Sequence, residues 1–261
     1  MIPQLPALHA AMLTRVMASV QADLRLEALL GTGSMVTGEF DEESDLDLVL
    51  LVRPDAFAGT MADRRTFAGG LGGLLACFSG EHVGEPRLLI CLYGPPLLHV
   101  DFKFVSTDDL SGFVERPLLL WAREPETMQC RLDALQIKPA RRDGQWFEDR
   151  AWVWMHYSAT KIRRGEYFEA LAALDFFREA VLGPMLRRHA GERPRGLRRI
   201  ETSPGAAERL LSTVSTCDSA SLVAAWHASI ALYLDLRAAD PPPYPTAHMP
   251  AALRDFLDGT A

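Results

Sequence analysis

The chain has 261 residues, of which 48% are hydrophobic, and carries a formal net charge of −7. This length allows one large domain or two smaller ones, each with a core of its own. Residues 1–130 hold nine Lys and Arg against 18 Asp and Glu, which argues against a general nucleic-acid-binding protein, since such proteins present a basic face.

Three further features predict a cytoplasmic protein. No apolar run approaches the ~20 residues that a membrane span needs. The segment "MIPQLPALHAAMLTRV" lacks the basic and then apolar layout of a signal peptide. The cysteines are scattered, with no CxxC pair, and are typical of small buried side chains in a reducing compartment. They are Cys77, Cys91, Cys130 and Cys217.

Helices and strands alternate in the first half of the chain. Apolar spacing predicts a helix over residues 6–22 and another over 60–78, the second weakened by four glycines. The predicted strands are "RLEALLG" (25–31), Asp45 to Val52, "RLLICLY" (87–93), "LLHVDFKFV" (97–105) and "PLLLWARE" (117–124).

The second half is predicted to be helical. The predicted helices cover 146–164, 166–189, 205–216, 220–238 and a short 250–258. The sequence therefore predicts an α/β (α+β) fold, with a mixed sheet and flanking helices in residues 1–130 and an all-helical domain in residues 131–261.

A glycine-rich turn and an acidic strand follow one another in "GTGSMVTGEFDEESDLDLVLLV", residues 31–52. Three familiar sites fail to explain this segment. Glu39 stands where a P-loop needs its lysine, and Val36 stands at the third glycine of a dinucleotide fingerprint. The acidic alternation lacks the glycine of an EF-hand and runs into a strand.

Asp45 and Asp47 point to the same face of the predicted strand, roughly 6–7 Å apart along it. Two such carboxylates suit a hard cation such as Mg²⁺, which keeps waters and substrate phosphates in its other positions. Gly33 permits close approach of the backbone to a phosphate, and Ser34 stands where a short helix can begin.

A third carboxylate lies on another strand. In "LLHVDFKFV", Val100, Phe102 and Phe104 alternate with His99, Asp101 and Lys103, so one face is apolar and the other polar. A neighbouring strand can therefore bring Asp101 near Asp45 and Asp47.

The pattern of Gly-Ser, ten residues, Asp-Leu-Asp and a later strand aspartate resembles the DNA polymerase β-like nucleotidyltransferase superfamily. Within it, the chain resembles the aminoglycoside and lincosamide nucleotidyltransferases linked to antibiotic resistance. The resemblance implies that Asp45, Asp47 and Asp101 hold two Mg²⁺ ions and that Asp101 is also the catalytic base. It implies that Gly33 and Ser34 bind the phosphates of ATP or another nucleoside triphosphate.

Several assignments stay open at this stage. Lys161 is a candidate nucleotide ligand, and Glu166, His99 and Lys103 are candidate substrate contacts. The arginines between Arg187 and Arg199 could bind phosphate or belong to a solvated helix end. The acceptor is expected to be a hydroxyl of a small molecule, with no membrane or nucleic-acid partner. The alternatives are adenylylation of a protein or RNA, and a non-catalytic antitoxin or regulatory module.

Overall fold

The computed structural model describes residues 4–137 and 142–259. Their contacts separate the chain into two compact units, which divide between residues 137 and 142. The boundary predicted after residue 130 falls inside a helix of the first unit, Pro125–Asp133, which the sequence analysis did not predict. The roles predicted for the two domains stay predictions.

The first unit is built on one mixed sheet. Its strands are β1 (Leu26–Gly31), β2 (Leu46–Val52), β3 (Leu74–Gly80), β4 (Glu85–Tyr93), β5 (Leu98–Ser106) and β6 (Leu118–Ala122). They lie in the order β3-β4-β5-β2-β1-β6, in which β2 and β5 are parallel and the other neighbours are antiparallel. The predicted mixed sheet followed by a helical part is confirmed.

The helices of this unit are α1 (Ala7–Ala22), α2 (Ser34–Thr37), α3 (Phe57–Gly70) and α4 (Pro125–Asp133). Helices α1 and α3 cover one face of the sheet. Met12 and Val16 of α1 are fully buried in the same cluster as the core side chains of β2 and β5. Phe67 of α3 packs edge-on against Phe102 and Phe104 of β5, with ring centroids 5.7 and 6.0 Å apart. Each such buried side chain contributes about 1.5–3 kcal/mol.

The other face is covered in part. Met128 and Leu132 of α4 pack there against a small cluster of apolar residues from β1, β2, β5 and β6. Those residues are Ala28, Leu30, Val49, Leu51, Val105 and Ala122. No residue of β3 or β4 belongs to this cluster.

The helix predicted over 60–78 is wrong in its second half, because α3 ends at Gly70 and residues 74–80 form the edge strand β3. Gly72 and Gly73, at φ +78° and +76°, turn the chain out of the helix. The apolar run that follows has no clear period, and pairing with β4 makes it a strand.

The second unit is all helical. Its helices are α5 (Gly144–Arg163), α6 (Tyr167–Phe177), α7 (Gly183–His189), α8 (Ala206–Leu211), α9 (Ser219–Ala239) and α10 (Met249–Asp258). A π-helical turn, Arg178–Leu182, joins α6 to α7, so the predicted helix 166–189 is interrupted rather than regular. Asp143 caps α5 by accepting from the backbone N–H of Trp146 at 2.8 Å.

The centre of this unit contains a buried carboxylate. Glu148 accepts hydrogen bonds from Trp152 Nε1 (2.9 Å), Tyr233 OH (2.6 Å) and the backbone N–H of Thr246 (2.7 Å), and pairs with Arg237 at 3.0 Å. A buried charge with this many partners is satisfied and serves the fold.

By length and composition, α9 alone among the helices of the described ranges could cross a membrane, and 44% of its most apolar window is buried. Leu222, Trp226, Ile230 and Tyr233 place it in the core of the second unit. This placement is typical of a core helix.

Candidate functional site

The turn after β1 is shaped so that only glycine fits at residue 33. Gly33 has φ +61° and ψ −134°, a backbone conformation that side chains with a Cβ rarely adopt. A Cβ built on Gly33 would lie 2.0 Å from Oδ2 of Asp47. The backbone N–H of Thr32 donates to the carbonyl of Asp47 at 3.0 Å. This hydrogen bond holds the turn directly against Asp47, at a distance that leaves no room for a Cβ on residue 33.

Ser34 is the first residue of α2, where the sequence predicted that a short helix begins. Its side chain is 4% exposed, and its Oγ has no hydrogen-bond partner within residues 4–137 and 142–259. An unpartnered buried hydroxyl costs about 1–3 kcal/mol, so it points to a polar ligand. The hydroxyl is covered, and a ligand reaches it only after its neighbours move.

The residue before Ser34 contacts a carboxylate for which the sequence contains no local signal. Glu115 Oε1 accepts from the backbone N–H of Gly33 at 3.1 Å. The signal for it is topological, because Gly31 pairs with Leu118 at the start of β6 and so brings residue 115 to the turn. An anion that bound this N–H would replace Glu115.

The three predicted aspartates lie together. Asp47 on β2 is directly opposite Asp101 on β5 in the parallel register, and Asp45 immediately precedes β2. One carboxylate oxygen from each of the three residues lies within 4.8 Å of the other two, and all three side chains are half-buried. Three like charges this close destabilise one another unless protons or a cation neutralise them.

The pKa of Asp101 is raised above its usual value. The main cause is burial, and the negative charge of Asp45 adds to it. His99 acts in the opposite direction, because its Nε2 lies 2.9 Å from Asp101 Oδ1. A carboxylate with a raised pKa is a better proton acceptor, which suits a general base.

A buried histidine holds the loop that leads into Asp45. His9 on α1 is 1% exposed, and its Nε2 lies 2.7 Å from the backbone carbonyl of Ser44. Asp41 Oδ1 accepts from the backbone N–H of Glu43 (3.1 Å) and from Ser44 Oγ (2.9 Å). His9 could not be predicted as part of the site, because a histidine on a predicted helix carries no signal of a contact 35 residues away.

Lys103, a candidate ligand contact on the face of Asp101, is engaged by another residue. Its Nζ lies 2.8 Å from Oε2 of Glu85, which also pairs with Arg87 at 2.7 Å. Hydrogen bonds from Arg87 lower the pKa of Glu85 to about 2, with a smaller contribution from Lys103 and against the effect of burial.

In the second unit, Lys161 Nζ lies 2.6 Å from a carboxylate oxygen of both Glu166 and Glu169. These hydrogen bonds raise the pKa of Lys161. The nucleotide-binding role predicted for Lys161 stays a prediction, and it would require Lys161 to leave these carboxylates. In the arginine-rich segment, Arg187 pairs with Glu192 at 2.8 Å. The predicted contacts of Glu166 and of this segment with substrate also stay predictions.

No protein-family model matches the chain, and no curated protein matches its sequence. Among solved structures, the chain is similar to an aminoglycoside 6-adenyltransferase from Bacillus subtilis, with 13% identity, a TM-score of 0.41 and coverage of 94% of this chain and 96% of that one. It is similar to a nucleotidyltransferase-like protein from Exiguobacterium sibiricum, with 10% identity, a TM-score of 0.36 and coverage of 98% and 81%.

The chain is also similar to a structure described as the E. coli MS115-1 CdnC:HORMA-deltaN complex, with 14% identity, a TM-score of 0.30 and coverage of 99% and 94%. The first two of these structures are described as an adenyltransferase and a nucleotidyltransferase-like protein, and the sequence motif resembles the same group of proteins.

Proposed function

We propose that the protein is a cytoplasmic, Mg²⁺-dependent nucleotidyltransferase, which moves a nucleoside monophosphate from a nucleoside triphosphate to a hydroxyl group. ATP is the proposed donor, and the acceptor is a small molecule, for which an aminoglycoside-like antibiotic is one candidate. The observation that carries the proposal is the meeting of Asp45, Asp47 and Asp101 beside the Gly33 turn.

The residues fit a metal–phosphate ligand in two independent ways. Three carboxylates provide the oxygen donors that Mg²⁺ prefers, and they leave positions open for phosphate oxygens. Ser34 adds a buried hydroxyl with no partner among the described residues, at a turn where Gly33 has no side chain to exclude a phosphate. Mg²⁺ bound by the three aspartates would neutralise the negative charge that develops on the phosphate oxygens.

Asp101 is the proposed base. Its carboxylate accepts the proton of the acceptor hydroxyl as that oxygen forms a bond to the α-phosphorus. The bond between the α-phosphorus and its bridging oxygen breaks, and the electron pair leaves with pyrophosphate. Ser34 and the Gly33 N–H hold the outer phosphates in line with the attacking oxygen, which lowers the entropic part of the barrier.

Pyrophosphate release tests this proposal. The full chain is incubated with Mg²⁺, each nucleoside triphosphate and a panel of hydroxyl compounds, proteins and RNA. We expect release with at least one acceptor, and we expect Asp47→Asn to abolish it while circular dichroism shows an intact fold.

Asp55→Asn is the matched control, because Asp55 is an exposed carboxylate of the same unit whose side chain pairs with Arg53. It should retain full activity. Full activity in Asp47→Asn would overturn the mechanism, and activity with RNA or protein acceptors alone would exclude the small-molecule acceptor.

A further inference from the structure

The part of the sheet next to Asp101 carries an exposed apolar surface. Along β4, the side chains of Leu89, Cys91 and Tyr93 are buried on the face that α1 and α3 cover. The alternating residues Leu88, Ile90 and Leu92 therefore point to the other face, where they are half-buried or exposed. On β3, Ala76 and Phe78 pair with Leu92 and Ile90 and share that face. We call these five residues the apolar strip: Ala76, Phe78, Leu88, Ile90 and Leu92.

Side chains of the apolar strip are exposed to solvent instead of being packed in a core. Phe78 is 51% exposed and Leu92 is 38% exposed. The α4 cluster that covers the β1, β2 and β6 side of this face includes no residue of the strip. Contiguous apolar side chains left open on one sheet face are typical of a ligand or partner site.

The register connects the apolar strip to the proposed base. Ile90 is directly opposite Asp101, and Leu92 is directly opposite His99. Phe78 lies one strand further, opposite Ile90. With strands about 4.8 Å apart, the strip begins beside the Asp101 carboxylate and ends about 10 Å from it. A two-ring compound covers most of this distance when the hydrogen bond from its hydroxyl to Asp101 is included.

The sheet order decides which substrate lies on the apolar strip. Under the proposed function, the outer phosphates lie at Gly33 and Ser34, which follow β1, and the order from there is β1-β2-β5-β4-β3. In-line transfer places the attacking oxygen on the side of the α-phosphorus opposite the leaving pyrophosphate. The acceptor therefore approaches from the β4 side of Asp101, and its remaining atoms lie over β4 and β3.

The charges that border the strip are balanced within the protein. Lys103 and Arg87 share the carboxylate of Glu85, with Nζ–Oε2 and Nε–Oε1 distances of 2.8 and 2.7 Å. Arg87 also pairs with Asp109 at 3.1 Å. Because these charged side chains pair with one another, apolar contact is the main interaction that this part of the surface offers a ligand.

We propose that the acceptor is a hydroxyl compound with an apolar ring system, which packs on the apolar strip and presents its hydroxyl to Asp101. This inference rests on the proposed function for the position of the phosphates. It names a narrower substrate class than that function does, because a polycationic polyol without an apolar face gains little from Phe78 and Leu92.

Binding of 2-naphthol, a fluorescent two-ring hydroxyl compound, tests the proposal without turnover. The full chain is titrated with 2-naphthol in the absence of nucleotide, and Phe78→Ser and Leu92→Ser are titrated in parallel. We expect wild type to bind and Phe78→Ser to bind about tenfold more weakly, since it loses the aromatic side chain at the end of the strip. Leu24→Ser is the matched control, because Leu24 is 71% exposed and lies between α1 and β1. It should bind as wild type does.

The same variants separate the two proposals. Phe78→Ser should raise the KM for 2-naphthol and leave the KM for ATP unchanged, and kanamycin should not displace 2-naphthol. Absence of naphthol binding to wild type, or equal affinity in Phe78→Ser, Leu92→Ser and Leu24→Ser, would overturn the apolar acceptor. If ATP and Mg²⁺ then still bind wild type, the proposed function survives that result. If ATP and Mg²⁺ do not bind, the proposed function fails as well.

Discussion

Gly33→Ala perturbs the contact between the glycine turn and Asp47. The backbone of Gly33 has φ +61° and ψ −134°, a conformation that alanine adopts only with strain of about 1–3 kcal/mol. The added methyl would also lie 2.0 Å from Asp47 Oδ2 and 2.9 Å from its Cγ. Relieving such a contact costs on the order of 1–3 kcal/mol and moves the carboxylate out of its position in the cluster.

Gly38→Ala is the matched control. Gly38 also has a positive φ, +76°, but a Cβ built there meets no atom within 4 Å. Alanine at residue 38 should therefore cost only the strain of a left-handed backbone, about 1–2 kcal/mol. Gly33→Ala should cost about 2–6 kcal/mol, because it combines strain with the clash.

Urea unfolding followed by far-UV circular dichroism measures both free energies of unfolding, and calorimetric titration measures the affinity for Mg²⁺ with ATP. We expect Gly33→Ala to lose more stability than Gly38→Ala and to lose its Mg²⁺–ATP affinity, whereas Gly38→Ala keeps that affinity. Equal stabilities together with equal affinities in the two variants would refute the view that Gly33 is required by its approach to Asp47.

Two other predictions concern a binding residue and a stabilising carboxylate. Ser34→Ala should weaken nucleotide binding by about 1–3 kcal/mol, the value of one hydrogen bond to a charged group, while the free energy of unfolding stays equal or rises because an unpartnered hydroxyl is removed. Nucleotide titration and urea unfolding measure the two effects, and unchanged nucleotide affinity would exclude Ser34 as a ligand. Glu85→Gln should lower the free energy of unfolding by about 1–3 kcal/mol at pH 7. Because the pKa of Glu85 is lowered from 4.5 to about 2, its contribution is fully present above pH 4.5 and is lost as the pH falls toward 2. The difference between wild type and Glu85→Gln in urea unfolding should therefore close over that range, and a difference independent of pH would contradict this assignment.

The sequence predicted the central strands because their side chains follow simple rules. The run from Leu48 to Val52 is continuously apolar, as in a strand covered on both faces, and β5 alternates, as in a strand covered on one. The turn at Gly33 and the carboxylates of Asp45 and Asp47 lie within one short segment, so local spacing was enough to connect them.

The remaining features depend on pairing between distant parts of the chain. β3 was predicted as the end of a helix, since its apolar residues have no period of their own and only β4 makes them a strand. Glu115 reaches Gly33 because β6 pairs with β1, and His9 reaches Ser44 because α1 packs on the sheet. No local pattern in the sequence encodes these contacts.

Cooperative binding of Mg²⁺ and ATP is the most direct test of the central claim that Asp45, Asp47 and Asp101 form a metal–nucleotide site. Thermal unfolding of wild type and Asp47→Asn is followed with neither ligand, with Mg²⁺, with ATP and with both. Ligand at about 100 times its dissociation constant stabilises a protein by roughly 2.7 kcal/mol. We expect both ligands together to raise the melting temperature of wild type by more than the sum of their separate effects, and we expect this excess to disappear in Asp47→Asn. Additive effects in wild type, or the same excess in Asp47→Asn, would contradict the central claim.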